Sequence, residues 1–383
     1  MFENFIGDKR PLSWAFQFWP VLILSFICAS AATWLCKKIA LKLGIVDKPD
    51  HKVKTHKEPV AYLGGVGIFA GFTVGILTGI YCLIGRDYLT DALKWLLGII
   101  AGTAIACFVG VIDDIFDLSP KKKFLGEILA AFPLIIVGIM PAMIYSAGFF
   151  NWEMSQTIEW ILGFFIVIFF VLGATNSLNL LDGLDGLCAG VTAIITFAQL
   201  ILAIHRSTWG FSDVGNAVRI IVCLGLFGGV CGFLPFNRYP AKIFMGDAGS
   251  IMLGFNMAAL MMMFAKEHPR WWMASIVIFG LPILDTATAL VRRLINKRPL
   301  FVSDRGHIYD QMIDRGISLN KTVVICYILA GIYALIGVTM SQIRTRYALL
   351  VYVAVVIISA VTIWRMGFLK MEGLRGAIKS DKH

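Results

Sequence analysis

Apolar residues fall in long uninterrupted stretches, and eleven of these approach the roughly 20 residues an α-helix needs to cross a bilayer. They centre near residues 14–35, 63–84, 92–112, 124–147, 158–175, 187–204, 215–236, 248–265, 270–291, 322–341 and 347–364. Polar residues gather in the short connections between them. The pattern predicts an all-α polytopic membrane protein of about eleven spans, built as one helical bundle over residues 1–383. No linker, low-complexity tract or internal repeat interrupts it. The first stretch is too long for a signal-peptide core and lacks a cleavage-type ending, so it reads as a retained anchor.

Composition agrees. The chain is 58% hydrophobic and 15% charged, with a mean hydropathy of +0.79, too little charge for a soluble surface of this size. The net charge of +10 does not point to nucleic acid, because its distribution is that of a membrane protein. Segments 36–62, 113–123, 237–247, 292–321 and 365–383 hold 24 of the 34 Lys and Arg residues. Eleven alternating spans put all five on one side, and the positive-inside bias makes that side cytoplasmic. The N-terminus is then outside and the C-terminus inside. Functional loops are expected near 44–62, 113–123, 176–186, 237–247 and 292–320. The eight cysteines contain no C-x-x-C pair, so neither a thiolate metal site nor a disulfide framework is indicated.

Acidic groups near hydrocarbon are costly and mark functional sites. The first set is Asp113, Asp114 and Asp117 in V-I-D-D-I-F-D. Asp113 and Asp117 share a helix face, with Asp114 about 100° round. They end the third span, where the helix dipole disfavours negative charge. Compensation must come from protonation, from Lys121 to Lys123 just downstream, or from a bound cation. A helix end facing water could also carry such acids, though doubled acids abutting a span are unusual.

The second set is the stretch N-S-L-N-L-L-D-G-L-D-G, with Asn176, Asn179, Asp182 and Asp185 three apart. A 3₁₀ turn would align all four, and neighbouring members face one way even on an α-helix. Amide and carboxylate oxygens are the hard ligands magnesium prefers. A polar inter-helix loop is the plainer alternative. The third set, N-R-Y-P-A-K-I-F-M-G-D-A-G-S from Asn237 to Ser250, places Asp247 directly before a span. There it would serve as helix N-cap or face a phosphate at the helix N-terminus. Lys242 could supply positive charge and Phe244 an aromatic face. In K-R-P-L-F-V-S-D-R-G-H-I-Y-D, from Lys297 to Asp310, Arg305 and His307 suit phosphate oxygens, while the remaining arginines fit plain positive-inside charge. The Lys- and His-rich first loop, 47–65, either steers an anion or only sets topology.

Together these motifs resemble the polyprenyl-phosphate N-acetylhexosamine-1-phosphate transferase family (glycosyltransferase family 4), over about residues 47–315. D-D-x-x-D alone is shared with prenyl-diphosphate enzymes, but N-x-x-N-x-x-D-G-x-D-G followed by P-A-K-I-F-M-G-D-x-G-S is highly specific. The resemblance implies a magnesium-dependent enzyme, with manganese as a possible substitute. It would transfer a sugar 1-phosphate from a UDP-N-acetylhexosamine to undecaprenyl phosphate at the cytoplasmic face of a bacterial inner membrane. UMP is released and a cell-envelope glycan is begun. By the same resemblance Asn179 and Asp247 correspond to metal ligands, and Asp113, Asp114 and His307 to catalytic groups, with Asp113 the base nearest the lipid phosphate. Asp182, Asp185, Lys242, Phe244 and Arg305 correspond to substrate-binding groups, Asp185 and Phe244 at the uracil. A homodimer is common in the family, but no residue here argues for it.

The last loop departs from the family. GlcNAc-type members carry H-I-H-H and the pentapeptide translocases three consecutive histidines, whereas this chain has His307-Ile308-Tyr309-Asp310. UDP-GlcNAc is the expected donor, with another UDP-N-acetylhexosamine as the alternative. Ala61 also stands where many relatives have proline. An intramembrane prenyltransferase would share D-D-I-F-D but needs a second acid-rich repeat. A transporter would place acids near mid-span, where Asp285 is the one candidate.

Overall fold

A computed structural model of the chain describes residues 16–47, 59–141, 155–208, 213–266, 268–298 and 306–370. Among these are thirteen helices and one two-stranded clip. They are α1 (Trp19–Leu43), α2 (Gly64–Cys82), α3 (Leu89–Phe116), α4 (Pro120–Ile136), α5 (Gln156–Leu181), α6 (Leu187–Ser207) and α7 (Asp213–Asn237), then α8 (Gly246–Ala265), α9 (Pro269–Ile278), α10 (Gly280–Ile295), α11 (Ile308–Asp314), α12 (Leu319–Met340) and α13 (Thr345–Arg365).

Among the described residues, nine helices are long and apolar enough to span a membrane. The span expected over 270–291 is instead a broken pair: α9 and α10 meet at 70°. The sequence from Ile278 to Pro282, I-F-G-L-P, gives the reason. Pro282 cannot donate its backbone N–H into a continuous helix, so the run kinks there. The span expected over 124–147 begins as α4, which ends at Ile136; residues 142–154 lie outside the described ones. The all-α class holds. Nine helices of spanning length and one broken pair stand where eleven regular spans were expected.

Helix α8 is the hub. It is buried from Ala248 to Ala265, as a run of apolar and small residues broken only by Asn256 requires, and α2, α3, α5 and α9 pack around it. Backbones close in where side chains are smallest. A Cβ on Gly65 of α2 would collide with Gly249, and one on Gly110 of α3 with Ala248, so both helices touch the first turn of α8 directly. That turn carries Asp247.

The clip was not legible in the apolar pattern. Strands β1 (Val46–Asp47) and β2 (Val60–Ala61) pair antiparallel, Val46 opposite Ala61, and Ala61 forms a parallel bridge with Ile243. Phe244 donates its N–H to Ala61 O at 2.9 Å, and its own carbonyl accepts from Gly64 N at 2.9 Å. The first loop is thereby fastened to the stretch before α8.

Candidate active site

The ends of α3 and α5 and the starts of α4 and α8 meet at one end of the bundle. Asp113 lies in the last turn of α3, Lys123 in the first turns of α4, Asn179 in the last turn of α5 and Asp247 in the first turn of α8. Lys123 Nζ stands 2.9 Å from Asp113 Oδ2 and 2.5 Å from Asp247 Oδ2, and donates to Asn179 Oδ1 at 3.2 Å. Asn179 Nδ2 in turn donates to Asp247 Oδ1 at 2.6 Å and to Ser250 Oγ at 3.0 Å. The Asp113 and Asp247 carboxylates are themselves within hydrogen-bonding reach. Two carboxylates this close repel unless they share a proton or a cation lies between them. Here the ammonium does so.

Asp114 points elsewhere. Its carboxylate accepts from Asp247 N at 2.8 Å and Ala248 N at 3.1 Å, covering two of the first, otherwise unpaired N–H groups of α8. The capping that is one of the two readings of Asp247 is thus supplied from α3 by Asp114, and the Asp247 side chain is left to face Lys123. Asp117 does not join the cluster. The chain turns left-handed there (φ 50°), and the residue is exposed, so the shared face expected of Asp113 and Asp117 ends with the helix.

Asn176, Asn179, Asp182 and Asp185 do not align on one face, because α5 stays α-helical to Leu181. Asn176 faces α4, where its Nδ2 donates to Glu127 Oε2 at 2.7 Å. Asp185 Oδ2 accepts from Ala241 N at 2.8 Å, which ties the D-G-L-D-G turn to the P-A-K loop. Asn237 adds to this tie, accepting from Gly186 N and donating to Ile243 O, both at 3.1 Å. Asp182 is pushed well above the usual carboxylate range, by burial first and then by Asp247, Asp114 and Asp185. Tyr62 faces the same acids. Burial, then Asp47, Asp114, Asp247 and Asp182, raise its phenol beyond its ordinary range. Phe244 is half-buried with its ring centre 6.1 Å from that of Tyr62, and Lys242 is exposed beside it.

His307 comes in from the last loop. Its Nδ1 is 2.7 Å from Asp285 Oδ2, and Ile308 N donates to Asp285 Oδ1 at 2.7 Å. The ring stacks on Tyr309, centroids 5.5 Å apart and planes 10° apart. Tyr309 Oη donates to Leu180 O at 2.9 Å, so this loop docks beside Asp182. Gly306 O accepts from Arg292 and from Gln311 Nε2. Arg305 lies outside the described residues.

Among the described residues no three His, Cys, Asp or Glu side chains form a metal cage by themselves. The donors that converge are two carboxylates and an amide, Asp113, Asp247 and Asn179. This all-oxygen set suits a hard divalent ion, and Lys123 Nζ shows that one cationic centre can meet all three. The set fits magnesium.

Sequence reasoning missed Glu127, Asp285 as the partner of His307, and Asn237. Glu127 was within reach of it. It is an acid inside the apolar run 124–147, and intramembrane acids are suspect by default.

The model for glycosyl transferase family 4 matches residues 96–265, a stretch that holds Asp113, Lys123, Asn179 and Asp247. The chain is 30% identical over 329 residues to an Escherichia coli (strain K12) protein named undecaprenyl-phosphate alpha-N-acetylglucosaminyl 1-phosphate transferase, covering 83% of this chain and 82% of the relative. A Bacillus subtilis (strain 168) protein named probable undecaprenyl-phosphate N-acetylglucosaminyl 1-phosphate transferase is 29% identical over 323 residues, 84% of each chain. The Yersinia pestis protein carrying the same name as that of E. coli is 28% identical over 327 residues, 83% of this chain and 82% of the relative.

Proposed function

The chain belongs to glycosyl transferase family 4 and is a phosphoglycosyltransferase, and from that premise we propose that it transfers GlcNAc 1-phosphate from UDP-GlcNAc to undecaprenyl phosphate. The observation that carries the reading is the meeting of Asp113, Asn179 and Asp247 at a single cationic centre. Phosphoryl transfer between two anions needs such a centre more than it needs covalent help from the protein.

In this reading the acceptor phosphate oxygen attacks the sugar-bearing phosphorus of the donor. The bond from that phosphorus to the bridging oxygen breaks, and UMP leaves with the bridging electron pair. Magnesium, held by Asn179 and Asp247, would supply charge neutralisation. Asp113 is the base nearest the acceptor. Asp114 holds the first turn of α8, and so Asp247, in place. Asp182, Asp185, Phe244 and Lys242 bind the nucleotide side, with Asp185 and Phe244 at the uracil. Arg305 and His307 hold the diphosphate and sugar, the imidazole oriented by Asp285. The acceptor is already a competent nucleophile near neutral pH, which favours direct attack over an aspartyl intermediate.

The clustering of Lys and Arg in the loops at this end supports a cytoplasmic active site in a bacterial inner membrane, N-terminus outside and C-terminus inside. The test is UMP release by purified protein in detergent, with magnesium, undecaprenyl phosphate and a panel of UDP-N-acetylhexosamines. Lipid-dependent turnover with UDP-GlcNAc, lost in Asp247→Asn, is the expected result. Turnover with a different UDP-N-acetylhexosamine alone would correct the donor, and folded protein inert with every donor would overturn the reading.

A further inference from the structure

Glu127 has no part in the chemistry above, yet it is fully buried on α4. One oxygen is engaged by Asn176. The other, Oε1, has no hydrogen-bond partner among the described residues: the Thr175 hydroxyl lies close to the carboxyl, but its single proton is directed to the carbonyl of Val171 or Leu172. A buried carboxylate oxygen left unsatisfied is costly. It calls for a donor that is present in some state of the protein.

Lys123 is four residues earlier on the same helix, and residues at that spacing lie on one face, a turn apart. Its flexible stem ends in a compact charge. At present that charge fills the centre where Asp113, Asn179 and Asp247 converge, so a divalent ion and the ammonium cannot both occupy it.

We propose that Lys123 is a resident cation with two stations: it holds Asp113, Asn179 and Asp247 together until a divalent metal arrives, then moves one turn along α4 to pair with Glu127. The proposal rests on the magnesium reading and goes beyond it by naming what the metal displaces and where the displaced charge goes. Before metal binding the two facing carboxylates stay compensated. After it, the buried glutamate gains its missing partner.

The experiment is direct binding of Mn2+ to the purified full-length protein in detergent, read from the electron paramagnetic resonance of the free ion. Wild type, Lys123→Met, Glu127→Gln, the double variant and Asp247→Asn are compared, with Lys123→Gln alongside so that one misfolded variant does not decide the result. Loss of the resident cation should tighten Mn2+ binding at least about tenfold, and Glu127→Gln should weaken it about fivefold because the displaced ammonium has nowhere to go. In the Lys123→Met background Glu127→Gln should have almost no effect, since its role depends on the lysine. Unchanged or weaker binding in both lysine variants, or a Glu127→Gln effect that persists without Lys123, overturns the proposal while leaving the magnesium site standing. If wild type and Lys123→Met both bind Mn2+ no better than Asp247→Asn, the magnesium reading fails and the exchange fails with it.

Discussion

Asp114 and Asp247 meet through a backbone hydrogen bond and not through their carboxylates: Asp247 N donates to Asp114 Oδ1 at 2.8 Å, while the Asp247 side chain turns to Lys123. The neighbouring acids of the D-D pair thus divide the work. Asp113 faces the cationic centre, and Asp114 fixes the helix start that presents Asp247 to it. Asp114→Ala strands two N–H groups of α8 and should cost about 1–3 kcal/mol of stability as well as activity. Asp247→Asn should leave thermal stability nearly unchanged and lower turnover by roughly two orders of magnitude or more. Thermal unfolding and UMP release on the same preparations separate the two effects.

Close backbone contact at the first turn of α8 makes a second prediction. Gly110→Ala puts a methyl group against Ala248, and overpacking of this kind costs roughly 1–3 kcal/mol. The displaced element carries Asp247, so activity should fall further than the loss of folded protein explains. Turnover per folded molecule, measured below the unfolding transition, is the check.

Asp285 and His307 should behave as one unit. Asp285→Ala removes the partner of His307 Nδ1 and the acceptor of Ile308 N. We expect kcat to fall nearly as far as in His307→Ala, and the double variant to be little worse than either single one, because groups acting together are non-additive. Tyr309→Phe keeps the stack on His307 and loses only the bond to Leu180 O, so its expected effect is about 0.5–1.5 kcal/mol in stability with the donor preference intact.

Asp182 gives a pH prediction. Burial and the surrounding acids hold its pKa well above the usual carboxylate value, so the folded state keeps a proton that the unfolded chain releases near about pH 4. Stability is then lost as pH rises from about 4 through the folded-state pKa. Asp182→Asn cannot ionise and escapes that loss. In chelator it should unfold at a higher temperature than wild type at about pH 8 and at the same temperature near pH 4. Thermal scans across that range check the sign.

Long apolar runs were legible because a bilayer leaves few other ways to satisfy the backbone. The break between α9 and α10 was also written in the chain, as Gly280-Leu281-Pro282, but a hydropathy count merges the two halves into one span. Asp113, Asn179 and Asp247 were found because each is an acid or amide at a span end, and the structure does bring those three together. Asp114 was found for its charge, and its capping role could not be read because it depends on a helix 133 residues further along the chain. The β1–β2 clip leaves no trace in periodicity, since two-residue strands have no period. Asp117 misled for a similar reason: an i, i+4 argument holds only while the helix continues, and here it stops at Phe116.

The enclosure of α8 from Ala248 to Ala265 has a mechanical consequence. α13, where only Ala348 and Ile363 are buried, presents most of its surface outward and can tilt when the surrounding bilayer thickens or thins, as spanning helices do to match it. Beyond Asp247, α8 is covered by protein, and its first turn is pinned by Gly65, Gly110 and Asp114. Strain from the lipid is then expected at the periphery, with the position of Asp247 set by its protein neighbours.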